Sequence, residues 1–332
     1  MNTNFKRYNL IIAFTTTVIL LTILSINLIF DPLWYLNGNL IGNKNYTFNE
    51  RLSKVNQFIK KQNKYDCLIV GSSRTTLLNE TLIDNYTCFN IAFSAGRIEE
   101  FNAYADWLIE KGVKPKLIII GIDDFNFIID PTELVVPEFI KNKSMPPSMI
   151  LSYLSFDALK LSKRLLFDDP RKARYYDGNF IVSIVDNPPI YLPRIEKNED
   201  IKPKPHAVNE YKLLRNKFKQ TKFIAYVPPI SAWRVASKNK NELNNYLESL
   251  YEISRFISPL YDFSIPSKVT RNPKNTYDGD HYGLETNNLI ANRINKHTGE
   301  FGVRVDLMSK QDYFQLYQQA IESFLLSIHQ TD

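Results

Sequence analysis

The stretch Tyr65-Asp-Cys-Leu-Ile-Val-Gly-Ser-Ser-Arg-Thr-Thr76 decides how this chain is to be read. Cys67 to Val70 is wholly apolar, as expected for a strand buried on both faces of a sheet. Gly71 breaks the run, and two hydroxyls and an arginine follow at once. In an open α/β sheet ligands sit at the carboxyl ends of strands. A serine on a tight turn there projects its oxygen and is placed as a nucleophile would be. The plainer reading is that Ser72 or Ser73 only caps the next helix.

Working outward, similar apolar runs recur. Tyr86 to Phe93 contains a second short strand that ends in the turn Ser94-Ala95-Gly96. Glu99 to Lys111 reads as a helix, with Gly112 and Pro115 as its stop signal. Leu117 to Ile120 is a third buried strand, closed by Gly121. This order predicts a β-α-β-α-β series and hence a parallel sheet. Lys222 to Val227 and Tyr261-Asp-Phe-Ser264 supply a fourth and a fifth strand. Helices are expected over Phe48–Gln62, Tyr211–Lys219, Asn241–Ile257, Leu284–His297 and Lys310–His329. Residues 131–210 read as an insertion with a basic cluster, Lys163, Arg164, Arg171, Lys172 and Arg174. Either it shapes a substrate surface or it is a helical excursion with ordinary solvated charge.

The N-terminus adds a second theme. Lys6 and Arg7 precede a stretch from Leu10 to Phe30 that carries no charge. About 21 residues at 1.5 Å each match a bilayer core of roughly 30 Å. Trp34 and Tyr35 follow at the expected interface. The segment is longer than a typical signal-peptide core and no convincing small-residue cleavage site ends it, the alternative reading being a cleaved signal peptide. The expected plan is a cytoplasmic tail over 1–8, a membrane anchor over 9–30, a linker and helix over 31–63, and a domain outside the cytoplasm over 64–332. The cytoplasmic (inner) membrane is the expected location, with a single pass and the positive flank inside.

Composition narrows the rest. The 332 residues are 44% apolar with a net charge of +6, so the chain is globular, and a modest, dispersed charge makes nucleic acid a poor partner. No zinc-type Cys/His spacing, phosphate loop or dinucleotide fingerprint occurs, so neither a metal nor a cofactor is expected. The two cysteines, Cys67 and Cys88, fit either a disulfide between neighbouring strands or two buried thiols.

Three predicted strand ends converge, Gly71-Ser-Ser-Arg74, Ser94-Ala-Gly96 and Gly121-Ile-Asp-Asp124, and a late loop, Asp278-Gly-Asp-His281, can join them. A serine hydroxyl needs a base, and an imidazole needs a carboxylate to fix its tautomer. Asp278, three residues before His281, can supply that carboxylate, while the adjacent Asp280 should point elsewhere.

Taken together, the four blocks resemble the SGNH (GDSL-like) hydrolases over roughly residues 64 to 298. The resemblance implies a flavodoxin-like three-layer fold with a central parallel five-stranded sheet. It implies Ser73 as nucleophile with His281 and Asp278 as base and orienter. Gly96 would face the oxyanion, Arg74 is a candidate either for substrate contact or for a salt bridge across the helix start, and Asp123 stands where the family has an oxyanion-donating Asn. An ionised carboxylate cannot fill that role. Asp123 and Asp124 are read equally as loop-ordering residues. The anchor, the Gly-Ser-Ser block and the Tyr-Asp-Phe-Ser … Asp-x-x-His ending are most similar to the membrane-anchored branch, which includes alginate acetylation proteins and the teichoic acid D-alanine transfer protein. That likeness implies a serine esterase or O-acyltransferase acting on acyl groups, O-acetyl foremost, of a cell-surface polysaccharide beside a multispanning O-acyltransferase. The alternatives are a lysophospholipase-like lipid or small-ester hydrolase of the same fold, and an inactive glycan-binding scaffold.

Overall fold

In the computed structural model, which describes residues 3–46, 49–129, 132–170, 173–196 and 202–330, every residue of the run Cys67–Val70 is buried. The strands, in chain order, are β1 (Cys67–Val70), β2 (Cys88–Asn90), β3 (Leu117–Gly121), β4 (Arg174–Tyr176), β5 (Val182–Ile184), β6 (Lys222–Val227), β7 (Leu260–Asp262) and β8 (Val303–Arg304). The helices are α1 (Thr3–Phe30), α2 (Glu50–Lys60), α3 (Ile98–Glu110), α4 (Glu138–Lys141), α5 (Met149–Tyr153) and α6 (Phe156–Leu166). They continue with α7 (Ala207–Lys217), α8 (Ala232–Ala236), α9 (Lys240–Ser254), α10 (Leu284–Lys296) and α11 (Lys310–His329). Two compact units result, Met1–Lys60 with Met145–Asn187, and Lys61–Ser144 with Pro188–Asp332.

The second unit is α/β. Among the described residues its sheet runs β2-β1-β3-β6-β7-β8, parallel throughout except for β7 against β8. The five parallel strands are those read from the sequence. The sixth, β8, has only two residues and no apolar run, so periodicity does not reveal it. Ile69, Ile119, Ile224 and Tyr226 on one face pack with Ile290, Ala291 and Ile294 of α10. The alternate residues Leu68, Ile118, Ile120, Phe223 and Ala225 are equally buried, so both faces are covered. That double burial is why these strands are continuous apolar runs. Cys67 and Cys88 are register partners on β1 and β2 and form a disulfide.

One expected element is missing. No α-helix follows β1; a run of turns and a short 3₁₀ helix, Glu80–Leu82, connect it to β2. Asn90 accounts for this. Its Nδ2 donates to the carbonyls of Thr75 (2.9 Å), Leu78 (3.3 Å) and Thr76 (3.4 Å), occupying acceptors that a helix would need.

The first unit is built on α1. Phe5–Phe30, 26 residues, is long and apolar enough to cross a membrane. Thr15, Thr17 and Thr22 donate to their own i−4 carbonyls, which satisfies their hydroxyls within the helix. The C-terminal part of α1 packs on α5 and α6: Leu24 and Leu28 join Tyr153, Ala158 and Leu161, and Ile26 and Phe30 join Leu165. Asn27, fully buried, donates to Tyr153 O (2.7 Å) and accepts from Ser162 Oγ (2.7 Å). The hairpin β4–β5 and α2 complete the unit, with the buried pair Arg174–Glu50 at 2.8 Å. The stretch read as one insertion over 131–210 is thus shared between the two units. Of the basic cluster, Arg174 is paired inside, Lys163 is exposed and Arg164 half-buried. Phe48, Pro131, Arg171 and Lys172 lie outside the described residues.

Candidate active site

The turn after β1 is shaped by close packing. Gly71 has φ +152°, and a Cβ at Gly71 or at Gly121 would collide with Thr75 Oγ1. The two glycines therefore let the turn fold tightly against the end of β3. Within it Ser72 is buried, and its Oγ accepts from Arg74 N (3.2 Å). Ser73 is half-exposed, and with no helix following it caps none.

His281 arrives from the loop before α10. Gly279 adopts φ +91°, a left-handed conformation that glycine accepts without strain. Asp278 Oδ1 accepts from the amides of Asp280 (3.0 Å) and His281 (2.8 Å), and Thr276 Oγ1 donates to His281 O (2.7 Å). These bonds hold the loop as one turn. His281 Nε2 then meets Ser73 Oγ at 2.7 Å, and His281 Nδ1 meets Asp278 Oδ2 at 2.7 Å. Tyr277 stacks on the imidazole, ring centroids 5.5 Å apart. Partial burial alone would raise the Asp278 carboxyl, but the bond from His281, its charge and the two amides outweigh this and hold it below the usual carboxylate range.

Beneath this chain lies a network of charges. Arg74 reaches Asp280 (2.9 Å), Asp124 (3.0 Å) and, more loosely, Asp123 (3.6 Å). Asp280 also pairs with Arg234 (3.0 Å), which donates to Asp278 O (2.9 Å). Lys238 joins Asp124 (2.8 Å) to Glu242 (2.5 Å). Burial opposes charge on Asp124, yet Arg74 and Lys238 hold its carboxyl well below the ordinary value. Asp123 differs. Burial pushes it up to about 6 against the pull of Arg74, and although Ser72 lies close, neither carboxylate oxygen accepts a hydrogen bond of good geometry.

The structure thus brings Ser73, His281 and Asp278 together in one hydrogen-bonded line. It places the other three candidates differently. The Arg74 guanidinium pairs with carboxylates and ties the Ser73 turn to the loop that carries His281. Asp123 is buried beside it with no exposed side chain. The Gly96 N–H donates to Phe93 O (3.0 Å) within its own turn, so it does not stand open to an oxyanion. The Ser73 amide, by contrast, makes no hydrogen bond among the described residues.

Asp280, Arg234 and Lys238 carry weight that the motif reading gave to Arg74 alone. The Asp-Gly-Asp-His spacing signalled only that Asp280 faces away from the imidazole. Arg234 and Lys238 lie on and just after α8 in no recognisable pattern. A polar cleft of about 370 Å³ opens against the Asp278–His281 loop, lined among others by Arg74, Tyr191, Arg234, Lys238, Asp278 and Asp280. Tyr191, which bonds Ser231 (2.9 Å), comes from an irregular segment that no sequence pattern singled out. Among the described residues no cluster of three His, Cys, Asp or Glu side chains could hold a metal ion. Compared with family models, curated proteins and solved structures, the chain finds no match.

Proposed function

We propose that the chain is a membrane-anchored serine esterase or acyltransferase of the SGNH type, acting outside the cytoplasm on acyl groups, O-acetyl foremost, of a cell-surface polysaccharide. The observation that carries this reading is the line Ser73–His281–Asp278, with both contacts at 2.7 Å. Ser73 Oγ attacks the acyl carbonyl, and His281 Nε2 takes the hydroxyl proton as the new C–O bond forms. Asp278 holds the opposite ring nitrogen and stabilises the imidazolium. His281 then returns the proton to the departing alkoxide, leaving an acyl-serine. A second hydroxyl, from water or an acceptor sugar, gives its proton to His281 and accepts the acyl group. The polar cleft beside the base loop suits a hydroxyl-rich substrate better than an acyl chain. Lys6 and Arg7 in the first turns of α1 support an outward-facing domain and an inner-membrane anchor, and a multispanning O-acyltransferase would be a fitting partner.

The oxyanion side supports a second reading, a glycan-binding scaffold that has kept the fold. Gly96 donates elsewhere and Asp123 brings no N–H. Each missing donor costs about 2.7–4 kcal/mol of transition-state stabilisation. Labelling the full chain with a fluorophosphonate decides between them. Wild type should label and Ser73→Ala should not. Labelling that persists in Ser73→Ala removes the nucleophile assignment, and a wild type that never labels favours the scaffold.

A further inference from the structure

The exposed side of α6 is unlike that of any helix of the α/β unit. Phe156, Lys160, Lys163 and Phe167 follow one another at spacings of four, three and four, which places them in one stripe along the helix. Both phenylalanines are open, at 71% and 67% exposure. The side facing α1 is different, with Ala158, Ser162 and Leu165 buried there. Between these two sides, Leu159 and Leu166 occupy one flank, and Asp157 and Arg164 the other. The neighbouring α5 adds Ile150 and Leu151, both exposed. Four levels around one helix therefore run from protein-facing, through apolar, to a mixed aromatic and basic stripe, to polar.

The position of this helix along α1 gives the stripe its partner. A bilayer core takes about 20 helical residues. Counted inward from Lys6 and Arg7, that length runs from Tyr8 to about Asn27. Burial of α1 begins earlier, at Ile23, and continues through Asn27 to Phe30. What buries these residues includes α5 and α6, through Tyr153, Ala158, Ser162 and Leu165. The last turns that α1 needs to cross the core are thus the turns already held by α5 and α6. Neither helix can stand clear of the headgroup layer if α1 crosses.

We propose that α5 and α6 are a membrane-interfacial platform that lies in the headgroup zone of an anionic bilayer, in the leaflet where α1 emerges. Leu159, Leu166, Ile150 and Leu151 turn toward the acyl chains. Phe156 and Phe167 sit at the level where aromatic rings anchor. Lys160 and Lys163 keep their stems on the apolar side and their ammonium groups at the lipid phosphates. Lys160 is at present paired with Asp157 (3.2 Å), an exposed contact that lipid phosphate can replace. The platform would fix the angle and height of the chain on the bilayer, which a single helix does not. The inference rests on α1 crossing a membrane and is independent of any chemistry at Ser73.

The test uses the full chain in lipid nanodiscs. The two native cysteines are bridged to each other, so an added cysteine is the one free thiol for a nitroxide label. Labels replace Phe156, Phe167 and, as a reading of α1 itself, Leu20. Collision with oxygen and with a water-soluble nickel chelate is then measured in nanodiscs of phosphatidylcholine alone and with phosphatidylglycerol added. The labels at 156 and 167 should favour oxygen over the chelate several-fold more than the free label in buffer does. Lys160→Glu with Lys163→Glu should move the label at 156 toward water in the phosphatidylglycerol discs and leave it in place in the neutral ones. If Leu20 reads bilayer while 156 and 167 read water, the platform is wrong and the span stands. Labels at 156 and 167 shielded from both reagents would mean a protein partner or a second copy covers the stripe, which also overturns the proposal. If Leu20 itself reads water, α1 does not cross and the premise falls with the inference.

Discussion

Asp123→Asn should stabilise the protein, and more so at high pH. Buried without a hydrogen-bonded oxygen, the Asp123 carboxyl is raised from 3.8 to about 6 in the folded chain, chiefly by desolvation. A raised acid costs stability wherever the unfolded chain ionises more readily than the folded one. The cost starts near pH 3.8, grows through about 6 and is constant above. A shift of about 2 units at 1.36 kcal/mol per unit makes the full cost about 3 kcal/mol at pH 8. At pH 4.5 the same linkage leaves about 1 kcal/mol. Asn resembles the protonated acid in size and charge, so it removes this cost, while Arg74 keeps Asp124 and Asp280. The gain of Asp123→Asn over wild type in urea denaturation of the full chain in detergent should therefore be about 2 kcal/mol larger at pH 8 than at pH 4.5. Asp278 runs the opposite way. Its lowered carboxyl gives stability that is present above 3.8 and fades as pH falls. It is common to both proteins and cancels in the difference. A gain that is equal at the two pH values, or a loss at both, refutes the reasoning and means that Arg74 needs the charge on Asp123.

Three further outcomes follow from the same geometry. Asp280→Asn weakens the pairs with Arg74 and Arg234 and so loosens the Asp278–His281 loop; the rate of fluorophosphonate labelling at Ser73 should fall about tenfold or more while the final extent is kept, and an unchanged rate means the loop is positioned without Asp280. Replacing Cys67 and Cys88 by Ala opens a bridge across a separation of 21 residues, a loss of about 3 kcal/mol in chain-entropy terms, read from the urea midpoint against the intact protein. Asn27→Leu leaves Tyr153 O and Ser162 Oγ without their buried partner, at about 1–3 kcal/mol each; hydrogen exchange of α5 and α6 should quicken, and unaltered exchange would mean the apolar contacts with α1 suffice.

What could be read in advance divides along a physical line. β1, β3 and, from Phe223 on, β6 are covered on both faces, so each is an apolar run there, and such a run needs no partner to be recognised. Asp278 and His281 are three residues apart, and their contact is made within one turn. β8 is two residues on a sheet edge, where one antiparallel pairing with β7 suffices and no pattern is imposed. The missing helix after β1 depends on Asn90, fourteen residues downstream of Thr76, a contact no local window contains. The partners of Arg74 are hidden for the same reason: a salt bridge is one of its two sequence readings, yet the carboxylates it pairs with lie 50 and 206 positions away. Local chemistry thus chose the three residues of the hydrogen-bonded line, and distant charge chose how they are held. Arg74 and Asp280 join those two levels. Each is the chain neighbour of a residue in the line, Arg74 of Ser73 and Asp280 of His281, and their pairing at 2.9 Å closes the Ser73 turn onto the Asp278–His281 loop. A substitution at either should therefore change the distance between Ser73 and His281 before it changes either residue's own surroundings.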